Sequence, residues 1–282
     1  MDSLFIFIQH VVPQHLLSRM IGALAELRYP LWLKNWVITR FVAHFQVDMN
    51  EAAEPDIQAY AHFNAFFTRA LKEGARPCDE ATVVCPADGA ISQLGEIEGG
   101  RMFQAKGQHF STIELLGGDV DRAIAFKDGD FATIYLSPRD YHRVHMPLTG
   151  TLTATCYIPG KLFSVNGTAA ENVDRLFARN ERLECYFDTE VGPMAMILVG
   201  AMIVAGIETV WSGQVAPPPA APDLRDYTVL PDPIRLEQGE EMGRFKLGST
   251  VILLFAEDAI KWQDSYQAGT VTRLGEALAS LD

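Results

Sequence analysis

The chain reads as an α+β protein, an antiparallel β-rich body preceded by amphipathic helices at its N-terminus. Three observations carry this. From Val83 onward, short apolar runs are split by turn signals such as Asp88-Gly89, Gly117-Gly118, Asp128-Gly129, Pro159-Gly160 and Gly192-Pro193. That cadence belongs to hairpins rather than to alternating β and α units. Before Asp48, by contrast, apolar residues recur at helical spacing. With 282 residues, 48% of them hydrophobic and 21% charged, the chain can bury a substantial core.

The N-terminal stretch opens with Leu4-Phe5-Ile6-Phe7-Ile8, unbroken by any polar residue. After Pro13, Leu16, Leu17, Met20, Ile21, Leu24 and Leu27 define one helix face, with Arg19 and Glu26 off it. Pro30 interrupts, and Leu33, Trp36, Val37, Phe41 and Phe45 resume the pattern. Trp32 and Trp36 are amphipathic rings suited to the headgroup level of a bilayer. Residues 1–47 therefore read as helices lying in one leaflet, the alternative being helices packed into the core.

Residues 48–282 form the body. A polar connection leads to a predicted helix with Phe63, Phe66, Phe67 and Leu71 on one side, ended by Gly74 and Pro77. Met194 to Ile207 reads as buried strand, since its fourteen residues fall short of the roughly 20 needed to cross a bilayer. The segment from Ala216 to Pro222, with four prolines, should be an extended surface loop. Val251 to Phe255, short, apolar and partly β-branched, is a buried strand entered through Gly248-Ser249-Thr250. Leu274, Leu278 and Leu281 predict a closing helix.

A net charge of -13 argues against nucleic-acid binding, because phosphate backbones demand a basic surface. Residues 1–47 are nonetheless net +2 and the remainder net -15. An anionic surface would accept only the N-terminus. The four cysteines, Cys78, Cys85, Cys156 and Cys185, form no C-x-x-C pair and have no histidine at metal-ligand spacing, so no metal is expected and the thiols read as structural. Met1-Asp2 places an acid where a secretory signal would be basic, and no signal peptide is expected.

Chemistry-bearing residues gather in three stretches. Asp88 stands in the turn Pro86-Ala87-Asp88-Gly89; His142 and His145 stand in Ser137-Pro138-Arg139-Asp140-Tyr141-His142-Arg143-Val144-His145-Met146-Pro147; Ser249 follows Gly248. An acid, a histidine and a serine are the parts of a nucleophile activated by an oriented base. The G-x-S-x-G setting of many serine hydrolases is absent. A spacing of three would put His142 and His145 on opposite faces of a regular strand, so both reach one site only through a turn or bulge, or by serving different sub-sites.

Six segments in order resemble the bacterial, pyruvoyl-dependent phosphatidylserine decarboxylase family. They are Phe66-Phe67-Thr68-Arg69, Pro86-Ala87-Asp88-Gly89, Asp140 to Pro147, Leu162-Phe163-Ser164-Val165-Asn166, Leu176 to Arg182 and Leu247-Gly248-Ser249-Thr250. The resemblance implies self-cleavage between Gly248 and Ser249 into a large chain, 1–248, and a small one, 249–282. It implies that His145 is the base, that Asp88 orients it, and that Ser249 becomes a covalent pyruvoyl cofactor. That group would form a Schiff base with phosphatidylserine, release CO₂ and leave phosphatidylethanolamine, with His142 carrying a proton and touching substrate. The partners implied are phosphatidylserine in the membrane, an anionic or zwitterionic lipid surface on the cytoplasmic side of the cell membrane, and the pairing of large with small chain, a homodimer of these being allowed. On the residues alone, a pyruvoyl decarboxylase of a soluble amino acid, a serine hydrolase using Asp88, His145 and Ser249, and a peripheral membrane scaffold stay open.

Overall fold

The strand Ser249–Phe255 is the middle of the protein. Its alternation sends Val251, Leu253 and Phe255 into one buried cluster and Ile252 and Leu254 into another, so the sheet has a core on each face. A sheet covered on both sides needs an unbroken apolar strand, which is why five consecutive residues there are apolar. In this computed structural model the described residues are 2–202, 206–215 and 221–281, with the side chains of 2–5, 8 and 249 set aside.

Strand Ser249–Phe255 pairs antiparallel with Asp130–Leu136 on one edge and with Gly192–Val199 on the other. Gly192–Val199 repeats the division of faces, with Met194, Met196 and Leu198 in the first core and Ala195, Ile197 and Val199 in the second. Arg182–Thr189, Gly150–Ile158 and Asp223–Asp226 extend the sheet on that side, and Gly89–Glu96 and Val271–Thr272 on the other. A smaller sheet runs Gly213–Gln214, Gly206–Thr209, Glu241–Lys246 and Arg143–His145. The fold is α+β with antiparallel sheets dominant, as the sequence predicts.

Three helices lead in: α1 (Asp2–Val11), α2 (Gln14–Ala25) and α3 (Leu31–Phe45). None of the described helices is long and apolar enough to cross a membrane. Part of their surface packs on the body and part is exposed. Ile38 is fully buried, and Phe41 meets Phe63, Phe66 and Phe67 edge-on. On the outward faces, Leu24 is 61% exposed, Trp32 71% and Trp36 58%.

Three expectations change. The helix after the polar connection, α4, is only Phe63–Phe67. Ala53 N–H bonds to the Ala70 carbonyl and Ala52 bridges to Leu71, so residues beyond Thr68 leave the helix to pair with the preceding loop. Met194 to Ile207 is two strands in different sheets, Gly192–Val199 and Gly206–Thr209, residues 203–205 lying outside the described ones. The predicted closing helix is the strand Ala277–Ser280, paired with Val83–Val84 and Lys261–Trp262. Gly275, at φ +87° and with Pro77 oxygen 2.4 Å from where a Cβ would stand, makes the turn that forbids a helix from Leu274. Of the predicted proline-rich loop, residues 216–220 lie outside the described residues; Ala221 and Pro222 are exposed.

Candidate active site

Strand Glu241–Lys246 belongs to the smaller sheet and Ser249–Phe255 to the larger, so Leu247 and Gly248 are the two-residue crossing between sheets. Both are left-handed, at φ +75° and +74°. Glycine adopts this freely, whereas a leucine held there costs about 1–2 kcal/mol. The space beside Gly248 is open. Leu247 lines an apolar cavity of about 410 Å³ with Ile21, Leu24, Leu33, Val37 and Phe41, which connects the crossing to the exposed helices.

Ser249 opens its strand opposite Leu136, and Leu136 is followed by the loop that carries His142. Asp140 shapes that loop, its Oδ2 accepting from the Ser137 backbone N–H at 2.6 Å and the Ser137 hydroxyl at 2.7 Å. The loop folds His142 inward, where its Nε2 donates to the Ser137 carbonyl at 3.1 Å. The ring stacks on Phe67 with centroids 4.0 Å apart. His142 is fully buried, and its Nδ1 has no partner among the described residues. Burial, helped by the Arg69 guanidinium, pushes its pKa down to about 3, so the imidazole is neutral.

His145 ends the short strand Arg143–His145 and has different surroundings. Its Nδ1 donates to the Gly239 carbonyl at 2.8 Å, leaving Nε2 to accept from the Tyr141 hydroxyl at 3.2 Å. Burial lowers its pKa, and burial raises that of Tyr141 to about 12. His142 stands one residue before the strand, so the two rings point to separate partners despite their spacing. A neutral imidazole with one nitrogen fixed as donor and the other holding its lone pair is a proton acceptor at neutral pH.

Asp88 sits in the turn before strand Gly89–Glu96, and the His145 backbone N–H bonds to Pro86 oxygen two residues away, at 2.9 Å. Its carboxylate accepts from Arg76 Nε at 2.9 and 3.1 Å, from Arg76 Nη2, and from the Leu274 N–H at 2.9 Å. Arg76 also reaches Glu51 at 2.6 Å. Among the described residues no hydrogen bond joins Asp88 to His145. The structure thus brings His142 beside the crossing, its carbonyl accepting from the Phe245 N–H at 3.0 Å. It brings Asp88 beside His145, which pairs with Glu241 at the far end of strand Glu241–Lys246. Among the described residues no contact joins Asp88 or His145 to Gly248; an arginine holds the acid and a backbone carbonyl holds the base.

Sequence reasoning assigned no role to Phe67, Arg69, Arg76, Tyr141 or Gly239. Arg69 is buried with its Nη2 3.3 Å from the Arg139 carbonyl, bracing the His142 loop. Phe67 and Arg69 both fall in a segment that carried the resemblance, which was the available signal. Gly239 acts through its carbonyl, which any residue possesses, so no sequence signal marks it.

The comparisons bear on what this arrangement does. The family described as Phosphatidylserine decarboxylase matches residues 63–280, and another, described as PSD, matches residues 4–46. Among curated relatives, the Phosphatidylserine decarboxylase proenzyme of Ectopseudomonas mendocina (strain ymp) is 59% identical over 282 residues, covering 99% of this chain and 98% of the relative. The proenzyme of the same name from Pseudomonas aeruginosa (strain LESB58) is 60% identical over 281 residues, covering 99% and 97%. That of Pseudomonas fluorescens (strain Pf0-1) is 59% identical over 281 residues, covering 99% and 98%.

Proposed function

Because the chain belongs to the phosphatidylserine decarboxylase family, we propose that it is a proenzyme that cuts itself at Gly248-Ser249 and then works at a membrane surface. Its reaction is removal of the serine carboxylate of phosphatidylserine as CO₂, leaving phosphatidylethanolamine. The observation that carries the self-cleavage reading is the left-handed Leu247-Gly248 pair directly before Ser249. Cutting there releases the constraint on Leu247.

In the first stage the Ser249 hydroxyl attacks the Gly248 carbonyl, and the acyl group moves from nitrogen to oxygen to give an ester. Loss of the Ser249 α-proton breaks the Cβ–O bond, leaving Gly248 as a carboxylate and residue 249 as dehydroalanine. Hydrolysis of its enamine nitrogen as ammonia leaves an N-terminal pyruvoyl group. We assign the base to His145, whose Nε2 lone pair is available once Tyr141 swings aside, and the supporting acid to Asp88. In this uncut chain the Gly239 carbonyl performs the orienting contact that Asp88 would otherwise make.

The residues fit such a group at position 249. Two buried polar atoms, Thr250 Oγ1 in the next residue and His142 Nδ1 in the loop after the strand that pairs with Ser249, lack partners among the described residues. The pyruvoyl group supplies the electron sink for the pair left behind when CO₂ departs. The chain does the rest. His142, fixed by Phe67 and the Ser137 carbonyl, offers Nδ1 to a headgroup donor and can pass that proton back to the reacting carbon. The cavity ending at Leu247 would take an acyl chain, aligning the headgroup with residue 249. The exposed apolar faces of α1, α2 and α3 would enter one leaflet on the cytoplasmic side of the cell membrane.

Mass spectrometry and a denaturing gel test this reading. Chains 1–248 and 249–282 are expected, the smaller labelled by carbonyl reagents, whereas Ser249→Ala should stay whole and inactive. An intact chain that decarboxylates phosphatidylserine, or cutting of Ser249→Ala, would overturn it.

A further inference from the structure

A second cavity, of about 350 Å³, opens where α1 gives way to α2. It is lined by Gln9, His10, His15, Lys161, Phe163 and Arg179 among others, and shares no lining residue with the apolar cavity at Leu247. Neither Lys161 nor Arg179 has a carboxylate partner among the described residues. Arg179 lies over the Phe163 ring at 4.9 Å and donates to the Asp174 carbonyl at 3.1 Å.

The cavity is built rather than incidental. Gln9 Oε1 accepts from the Ser164 N–H at 2.7 Å, and Gln14 Oε1 from the Leu162 N–H at 2.8 Å, fixing both helices to the body. Gln9 is 1% exposed, and its Nε2, a donor, has no partner among the described residues. No side chain caps the start of α2, so its first N–H groups add to the donors at this edge. Two acids stand close by. Glu181 lies 3.9 Å from His15 and burial raises its pKa toward the neutral form; Asp174, whose carbonyl accepts from Arg179, gives its carboxylate to Arg175.

Unpaired cations, an orphan donor and free helix N–H groups call for an anion with several acceptor oxygens, such as a phosphodiester. Phe7, Val11 and Leu16, all exposed, stand on the same two helices. An occupant with an apolar tail would cover them, and a free phosphate would not. We propose that this cavity binds the phosphodiester of an anionic phospholipid that is not being decarboxylated, and so anchors α1 and α2 to acidic membrane. This rests on the reading that those helices lie on the bilayer.

The test is vesicle binding by the full chain, using phosphatidylcholine alone and phosphatidylcholine with phosphatidylglycerol. Lys161→Gln with Arg179→Gln should lose about tenfold to thirtyfold affinity for the mixed vesicles and little for phosphatidylcholine alone, at about 1 kcal/mol per basic residue near the surface. Removing the same charge elsewhere, by Arg235→Gln with Lys261→Gln, should change neither by more than about twofold. Should the double variant misfold, Lys161→Gln alone, whose side chain makes no described hydrogen bond, should lose about fivefold. Equal losses in site and control variants, or an undiminished gain from phosphatidylglycerol in the site variant, would overturn the proposal. So would displacement by inorganic phosphate beyond chloride of equal ionic strength, which would make the site one for a free anion. Wild-type protein that binds neither vesicle would refute the membrane reading itself. Binding to phosphatidylcholine with no gain from phosphatidylglycerol would refute this site alone.

Discussion

Making His142 unable to titrate should flatten the acid limb of the stability profile. The ring is fully buried, and its pKa falls from an ordinary 6.5 to about 3. Below pH 6.5 the unfolded chain therefore binds a proton that the folded chain refuses. Stability is lost as pH falls from there toward 3, and the loss at pH 5 is about 2 kcal/mol. The uncut Ser249→Ala chain, in nonionic detergent, is the right background, because unfolding of two separated chains is not a single transition. Urea unfolding at pH 7 and pH 5 should show this chain losing about 2 kcal/mol more than Ser249→Ala with His142→Gln. Comparing the change with pH removes any constant cost of the glutamine. It also cancels Glu184, whose carboxyl burial pushes up and which therefore stabilises as pH falls. Parallel profiles for the two proteins would refute the claim that His142 is held neutral by burial.

The two histidines should separate by stage. His145→Ala should remain one chain, while His142→Ala should cut, carry a carbonyl-reactive N-terminus and lose roughly 10²–10⁴ in kcat, read by a processing gel and a product assay. If His142→Ala is the one that stays whole, the assignments are exchanged. Asp88→Asn breaks the buried pair with Arg76, Arg76→Gln breaks that pair and the one with Glu51, and each should lower stability by about 3–5 kcal/mol. Only Asp88→Asn should slow cutting severely, on the order of 10⁴-fold. An equal stall in Arg76→Gln would mean that Asp88 acts through the ion network. Trp32→Ser with Trp36→Ser should weaken binding to phosphatidylcholine vesicles by about a hundredfold, at roughly 1.5 kcal/mol per inserted ring, with unchanged unfolding. Undiminished binding would place the lipid contact elsewhere.

Much of this was legible along the chain. Periodicity marks the N-terminal helices, because an amphipathic helix repeats its chemistry every turn. The run from Val251 to Phe255 marks a doubly covered strand, because only burial on both faces tolerates five consecutive apolar side chains. Asp88, His142, His145 and Gly248-Ser249 stood out as chemistry in loops, and the order of the motifs around them named the family. The C-terminal leucines misled, because a spacing of three or four is also met in a chain that turns at Gly275 and pairs as a strand. Only tertiary structure could decide which partner each site residue takes. Arg76, twelve residues before Asp88, claims its carboxylate, and Gly239, ninety-four residues beyond His145, claims its Nδ1. The second follows from strand pairing, since His145 opposite Glu241 brings Gly239 beside its ring. A sequence records which groups a chain carries, whereas the hydrogen bonds they make depend on distances that exist only after folding.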